Sequence, residues 1–223
     1  MKSGYIINEI RLRGDAVDDA YLTFEPGLNT LNGPSNTGKT FVFECINYML
    51  GGSMPPKRIK QSKSYKSIFL EITSYDSKVY TLESDLKGGD IILYSNSISG
   101  LTFDQESSIL SRKHNPNSEG TVSAFFQKLN NVYGNEIRTN ARGKKRQISY
   151  RDLVRFFLVS EERVITKDSI VFSHYTKATE EKNVLKFIVT GEDDSDIVAL
   201  VSKDQISNKK GRLEFIDETI TMV

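Results

Sequence analysis

The chain carries almost no net charge, a single cysteine, two histidines and no long apolar run. Each shortage closes off a class of function. Lys and Arg number 30 and Asp and Glu 29, a balance of +1. No global field draws the protein to nucleic acid or to a membrane, so any such binding must come from local patches. Cys45 has no second cysteine to pair with, which fits a reducing, cytoplasmic setting. Its place inside a helical pattern reads as a small core residue rather than a reactive thiol. His114 and His174 stand alone in polar surroundings, and one Cys with two His speaks against a zinc site. No apolar run approaches the roughly 18 residues of a membrane span, so no membrane partner is expected. Glu9, Arg11 and Arg13 come too early for a signal peptide. The 223 residues suffice for one large domain.

What is present is a phosphate-binding loop. Gly33, Pro34, Ser35, Asn36, Thr37, Gly38, Lys39 and Thr40 read G-x-x-x-x-G-K-T. The glycines let successive N–H groups turn inward onto phosphate oxygens. Lys39 reaches the β- and γ-phosphates, and the Thr40 hydroxyl is a Mg²⁺ ligand. The helix that begins there aims its positive end at the same anion. Four fixed positions of eight match by chance in about one chain in a hundred of this length, so context decides between this and a Gly-rich turn that binds nothing. The context is right: residues 28–32 read as a short strand, and Phe41, Phe43, Ile46, Met49 and Leu50 mark a helix that Gly51-Gly52 ends.

Two strands precede the loop. Residues 5–13 put Ile6, Ile10 and Leu12 on one face; Tyr21, Leu22 and Phe24 form the second strand, and Pro26-Gly27 turns the chain. Residues 7–12, the run Phe24-Glu25-Pro26-Gly27-Leu28-Asn29, the loop, and Ile46 to Gly51 together resemble the opening of SMC/RecN/RecF-type ATPase heads. The resemblance is close over residues 4–52 and looser beyond. It implies an α/β fold: a P-loop NTPase of the ABC type, a half-head with an antiparallel β subdomain, ending in the start of a coiled-coil helix. It also implies ATP and Mg²⁺ as cofactors and engagement of double-stranded DNA. Arg11 and Arg13 are candidates for a nucleotide or DNA contact by the same resemblance; otherwise they are edge-strand charges.

Two basic stretches are candidates for that DNA. Residues 53–66 hold Lys57, Arg58, Lys60, Lys63 and Lys66, with Tyr65 available for stacking. Residues 138–151 hold Arg142, Lys144, Lys145 and Arg146, read as a mobile tip. Both are equally readable as solvated surface. Between them, residues 66–75, 78–84 and 90–95 read as an antiparallel meander, 96–119 as an irregular stretch, and 121–132 as a helix.

Ser149 is a good N-cap for a helix over 150–158. In the ABC-type heads the following stretch carries a Gln that senses Mg²⁺ and the attacking water. No Gln stands here, and Glu161 is the best match, with Ser160 and Glu162 as alternatives. The rival reading is a surface acidic pair. A helix over 180–189 follows. Glu192, Asp193, Asp194 and Asp196 read as the acidic first turn of a helix running from about Asp194 to the end. In it Ile206, Leu213 and Ile220 repeat every seven residues, a heptad seam. Leu213 to Glu218 imitates a Walker B motif, but Glu214 interrupts the apolar run and the helical period continues.

No signature motif and no Walker B pair is found, and in SMC-like proteins both lie beyond the coiled coil. The expectation is an N-terminal half-head over residues 1–193 with the start of a coiled coil over 194–223: a fragment or a split subunit. Its expected partners are the C-terminal half, a second head, DNA, and accessory or effector subunits, with nucleoid association when DNA-bound. The expected role is ATP-driven head dimerisation in DNA repair, chromosome maintenance or anti-phage defence. The alternative is an ATP-binding scaffold or regulatory subunit that controls a partner nuclease and turns over little ATP itself.

Overall fold

Alternation builds the centre of the molecule. In the computed structural model, which describes residues 3–102, 104–167, 169, 172, 178–200 and 203–221, Ile10 of strand β1 (Tyr5–Gly14) stands opposite Leu70 of β3 (Tyr65–Ser74). Leu70 stands opposite Leu82 of β4 (Val79–Asp85), and Leu82 opposite Leu93 of β5 (Ile91–Tyr94). Side chains two apart share a face, so Ile68, Leu70 and Ile72 all point to one side and are fully buried. Strands β2 (Ala20–Thr23) and β6 (Ser107–Leu110) complete a six-stranded antiparallel sheet in the order β2-β1-β3-β4-β5-β6.

Two helices close the apolar face. Helix α1 (Lys39–Met49) contributes Phe41, Cys45, Tyr48 and Met49, and α2 (Val122–Leu129) contributes Val122 and Phe126. Each large apolar side chain so buried stabilises the fold by about 1.5–3 kcal/mol. Tyr150, at the start of α3 (Tyr150–Val154), stacks on Phe126 at 4.6 Å between ring centroids and hydrogen-bonds its hydroxyl to that of Tyr5. The Thr121 hydroxyl caps α2 through the Ala124 N–H at 3.0 Å.

A smaller cluster lies beside the first. The hairpin β7 (Glu136–Arg138) and β8 (Lys145–Gln147) lays Ile137 and Ile148 against Val184 and Phe187 of α5 (Ala178–Thr190). Helix α4 (Glu161–Ile165) is a short exposed turn, and α6 (Lys203–Thr221) is the long terminal helix.

The expected meander is present as β3, β4 and β5. Four expectations are corrected. Residues 28–32 are not a strand: no neighbouring strand offers them a ladder, and Leu28 is 93% exposed. The stretch 96–119 is not wholly irregular, because β6 pairs with β5 through Ile91 opposite Leu110. The basic 138–151 stretch is a hairpin with a tied tip, not a loose one: the Leu200 N–H donates to the Arg142 carbonyl at 2.8 Å. Finally, the 192–196 acids do not open a helix. Asp193 accepts from the Asn135 amide at 3.0 Å and the Glu136 N–H at 3.3 Å, and Asp194 from the Arg138 N–H at 2.8 Å. They clasp the base of β7, and the described terminal helix starts at Lys203.

Candidate nucleotide-binding site

The site is built on the free end of α1. Gly38 is its N-cap with φ +90°, and Gly33 has φ +154°. Both lie where a Cβ strains the backbone, so glycine is needed at these two positions of the turn. Asn36 also takes a left-handed φ of +63°, which Asn tolerates better than most residues. No side chain caps the helix, and its first turn holds no acidic residue. The leading N–H groups of α1 have no intrahelical partner. They form an electropositive rim on the surface.

The loop holds its own shape. The Thr37 hydroxyl donates to the Pro34 carbonyl at 2.9 Å. Lys39 folds back and donates from Nζ to the Gly33 and Pro34 carbonyls, at 2.8 and 2.7 Å. Thr40 is exposed at the second position of the helix. Asn29 fixes the turn ahead of the loop, accepting from the Glu25 N–H at 3.1 Å and donating to the Glu25 carbonyl at 2.7 Å. The N–H donors, the Lys39 ammonium and the Thr40 hydroxyl fit a Mg²⁺-nucleotide. The uncapped, acid-free helix end fits this, because no carboxylate competes there with an incoming anion.

The other predicted residues fall elsewhere. Arg11 donates from Nε to Glu9 at 2.5 Å and from Nη1 to Asp19 at 3.4 Å; Arg13 meets Asp19 at 3.1 Å. Their guanidinium groups also lie over aromatic rings, Arg11 over Tyr21 at 5.3 Å and Arg13 over Phe69 at 4.8 Å. The hydrogen bond from Arg13, and then the charges of both arginines, hold the Asp19 carboxyl below the usual carboxylate range. No hydrogen bond joins either arginine to the phosphate loop among the described residues. Sequence reasoning missed Asp19. The signal was available: Arg11 opposite Tyr21 and Leu12 opposite Ala20 bring Arg13 to Asp19.

Glu161 is the first residue of α4 and is exposed. No hydrogen bond or ion pair links it to the loop among the described residues.

The 53–66 segment flanks α1. The Lys57 N–H donates to the Glu44 carboxylate of α1 at 2.8 Å, and the Ile59 side chain approaches Gly38. Arg58 is exposed and braces its own loop, donating from Nη2 to the carbonyls of Ser62, Lys63 and Tyr65 at 3.4, 3.1 and 3.3 Å. Lys57, Lys60 and Lys63 are exposed. In the second basic cluster, Arg142 and Lys144 are exposed at the hairpin tip. Lys145 pairs with Glu136 at 2.9 Å and donates to the Ser195 carbonyl at 2.6 Å. Arg146 is saturated: its Nη atoms reach the two Asp152 oxygens at 2.7 and 2.8 Å, and its Nε reaches Glu180 at 2.9 Å. Arg146 is a scaffold residue in this fold.

Cys45 lies against the sheet, and burial together with the nearby Glu44 pushes its thiol up to about 12. It is an inert core residue, as its helical position suggested.

A glycine-rich turn opening an uncapped helix, with the lysine and threonine in place, defines a P-loop nucleotide-binding domain of mixed α/β fold. A family model described as an AAA domain matches residues 15–221. The chain belongs to that family, whose domains are ATP-binding P-loop ATPase domains. No curated protein matched the sequence. No helix among the described residues is long and apolar enough to cross a membrane.

Proposed function

We propose that the chain is the ATP-binding N-terminal half of an SMC-like ATPase head. The half-head takes in the 192–196 acids that clasp β7, and α6 (Lys203–Thr221) begins a coiled coil. The N–H groups of Asn36 to Thr40 hold phosphate oxygens. Lys39 exchanges its two carbonyl partners for the β- and γ-phosphates, and the Thr40 hydroxyl joins the Mg²⁺ shell. When bound, Mg²⁺-ATP supplies the free energy that drives two heads together and, on cleavage, apart. Lys57, Arg58, Lys60, Lys63, Arg142 and Lys144 offer exposed cations to a DNA backbone. Arg11, Arg13, Lys145 and Arg146 belong to the scaffold.

One observation carries the reading: the open end of α1 follows residues 28–32, which carry a strand pattern yet have no partner strand among the described residues. Leu28 and Leu31 are exposed there. A strand of a completing half-head gives such a stretch a ladder. Exposed Leu213, Ile216 and Ile220 on α6 support the coiled coil. The test is calorimetry of Mg²⁺-ATP with the whole chain. Lys39→Ala should remove most of the triphosphate affinity, and an unchanged isotherm sinks the assignment. Adding a C-terminal half should raise ATP turnover; no gain counts against a half-head.

A second reading has its own support. The sequence holds no Walker B Asp-Glu pair to supply a general base, and no carboxylate hydrogen-bonds or ion-pairs with residues 33–40 among the described residues. This favours a regulatory or scaffold subunit that binds ATP with little turnover. Rapid turnover by the isolated chain excludes it.

A further inference from the structure

The far end of α1 is as heavily engaged as its near end is bare. Two arginines from distant parts of the chain converge on its last carbonyls. Arg112, just after β6, donates from Nη1 to the Tyr48 carbonyl at 2.6 Å and from Nη2 to the Ser84 hydroxyl of β4 at 2.7 Å. Its Nε donates to the Gly89 carbonyl in the β4–β5 turn, and its guanidinium lies 3.4 Å from the centroid of the Tyr48 ring. Arg151, in the first turn of α3, donates from Nη2 to the Asn47 side-chain oxygen at 2.7 Å. Its Nη1 reaches the Asn47 and Leu50 carbonyls at 3.3 and 3.4 Å.

Neither guanidinium has an ion-pair partner among the described residues. Asp90 and Asp152 favour the charges only from a distance. Burial accordingly pulls Arg112 down to about 10 and lowers Arg151 as well. The Gly51 and Gly52 N–H groups already donate to the Tyr48 and Asn47 carbonyls, at 3.1 and 2.9 Å, so the two arginines come in addition to the backbone cap. Here two full positive charges stand where the helix itself carries about half a negative charge. The 11 residues of α1 put them about 16 Å from the phosphate loop. The combination does two things at once. It lashes α1 to the β4–β5 turn and to α3, and it sets positive charge against the negative end of the helix dipole, which holds the helix in place.

We infer that Arg112 and Arg151 are positioning residues for the polyphosphate, clamping the far end of α1 so that its free N–H groups hold their bearing on the ligand. The inference rests on the nucleotide-binding reading above.

The experiment compares Arg112→Gln, Arg151→Gln and the double variant with Arg112→Lys and Arg151→Lys, all in the whole chain. Mg²⁺-ATP and adenosine are each titrated by competition against a fluorescent ATP analogue, at a temperature well below each variant's own melt. The double Gln variant should bind Mg²⁺-ATP about three- to tenfold more weakly. Adenosine affinity should be unchanged, and the Lys variants should recover most of the loss. Asn47→Ala, which removes only the side-chain acceptor of Arg151, should give a smaller loss in the same direction. Undiminished Mg²⁺-ATP affinity in the Gln variants overturns the inference. So does a parallel loss for ATP and adenosine, which marks a purely structural tie. Failure of the wild-type chain to bind, or binding indifferent to Lys39→Ala, instead brings down the nucleotide-binding reading itself.

Discussion

Replacing Arg146 by alanine separates a scaffold from a surface. Its guanidinium bridges Asp152 of α3 and Glu180 of α5, so one side chain ties β8 to two helices. The side chains of Arg146, Asp152 and Glu180 are 33%, 18% and 16% exposed. Removing one partner from a fully buried pair costs about 3–5 kcal/mol, whereas an exposed pair is worth under about 1 kcal/mol. Partial exposure places this site between them, at about 2 kcal/mol. For a domain of this size that is a fall of about 4–8 °C in Tm. The pH dependence carries a second signature. Burial pushes the Asp152 carboxyl up, but Arg146 and the Ser149 N–H outweigh it and hold the group below its usual range. A depressed carboxylate contributes stability that is present above the ordinary carboxylate pKa and lost as pH falls through the folded value. In Arg146→Ala burial acts with less opposition, and the Asp152 pKa rises. The gap between wild type and variant should therefore be widest near neutral pH and close as the carboxylate range is crossed. Thermal melts followed by circular dichroism at stepped pH read both effects. A Tm shift under roughly 1 °C at neutral pH, or a gap that does not change with pH, refutes the scaffold role.

The exposed cations should behave in the opposite way. Alanine at Lys57, Lys60 and Lys63, or at Arg142 and Lys144, should leave the melt unchanged and weaken duplex DNA binding, each lost phosphate contact lowering the salt slope by about one; retained affinity and slope remove these patches from the interface. Gly38→Ala should cost about 1–2 kcal/mol and weaken Mg²⁺-ATP binding. The cause is strain at φ +90°, because the added methyl meets nothing closer than the Ile59 Cδ1 at 3.9 Å; a variant as stable as wild type contradicts that backbone conformation. Cys45, buried and raised to about 12, should resist thiol reagents in the native protein and react fully in denaturant. Rapid native labelling counts against the packing of α1.

The parts that sequence revealed are those governed by short-range rules. The phosphate loop, the end of α1 at Gly51-Gly52, and the alternation of Ile68, Leu70 and Ile72 each depend on spacing within a few residues. The missed parts depend on partners far along the chain. Residues 28–32 carry a strand pattern, yet a strand exists only as part of a ladder, and none is there. Strand β6 was hidden because Ser107 and Ser108 lie at an exposed edge with no apolar face to bury. The 192–196 acids look like a helix start, but Asp193 and Asp194 find their donors in β7, more than fifty positions earlier. Arg146 was indistinguishable from Arg142 by composition; only the hairpin register, with Ile137 opposite Arg146, turns one inward and leaves the other in solvent.

The two ends of α1 explain how one helix serves both the core and the site. Its middle is fixed by Phe41, Cys45, Tyr48 and Met49 against the sheet, and its C-terminal carbonyls are shared between the Gly51 and Gly52 N–H groups and the guanidinium groups of Arg112 and Arg151. Little freedom is left for the helix to move toward a ligand, so the ligand must be met by the loop. The loop can respond because its own bonds are exposed. The Lys39 contacts to the Gly33 and Pro34 carbonyls are in solvent, where water offers the ammonium comparable acceptors and the net worth of each bond is small. A phosphate oxygen adds to the hydrogen bond the attraction of an opposite charge, which a carbonyl lacks, and the helix N-terminus adds its own attraction. The exchange therefore runs downhill for a polyphosphate. For a neutral ligand, which offers Lys39 no opposite charge, it does not. On this account discrimination for phosphate comes from how weakly the empty loop holds Lys39.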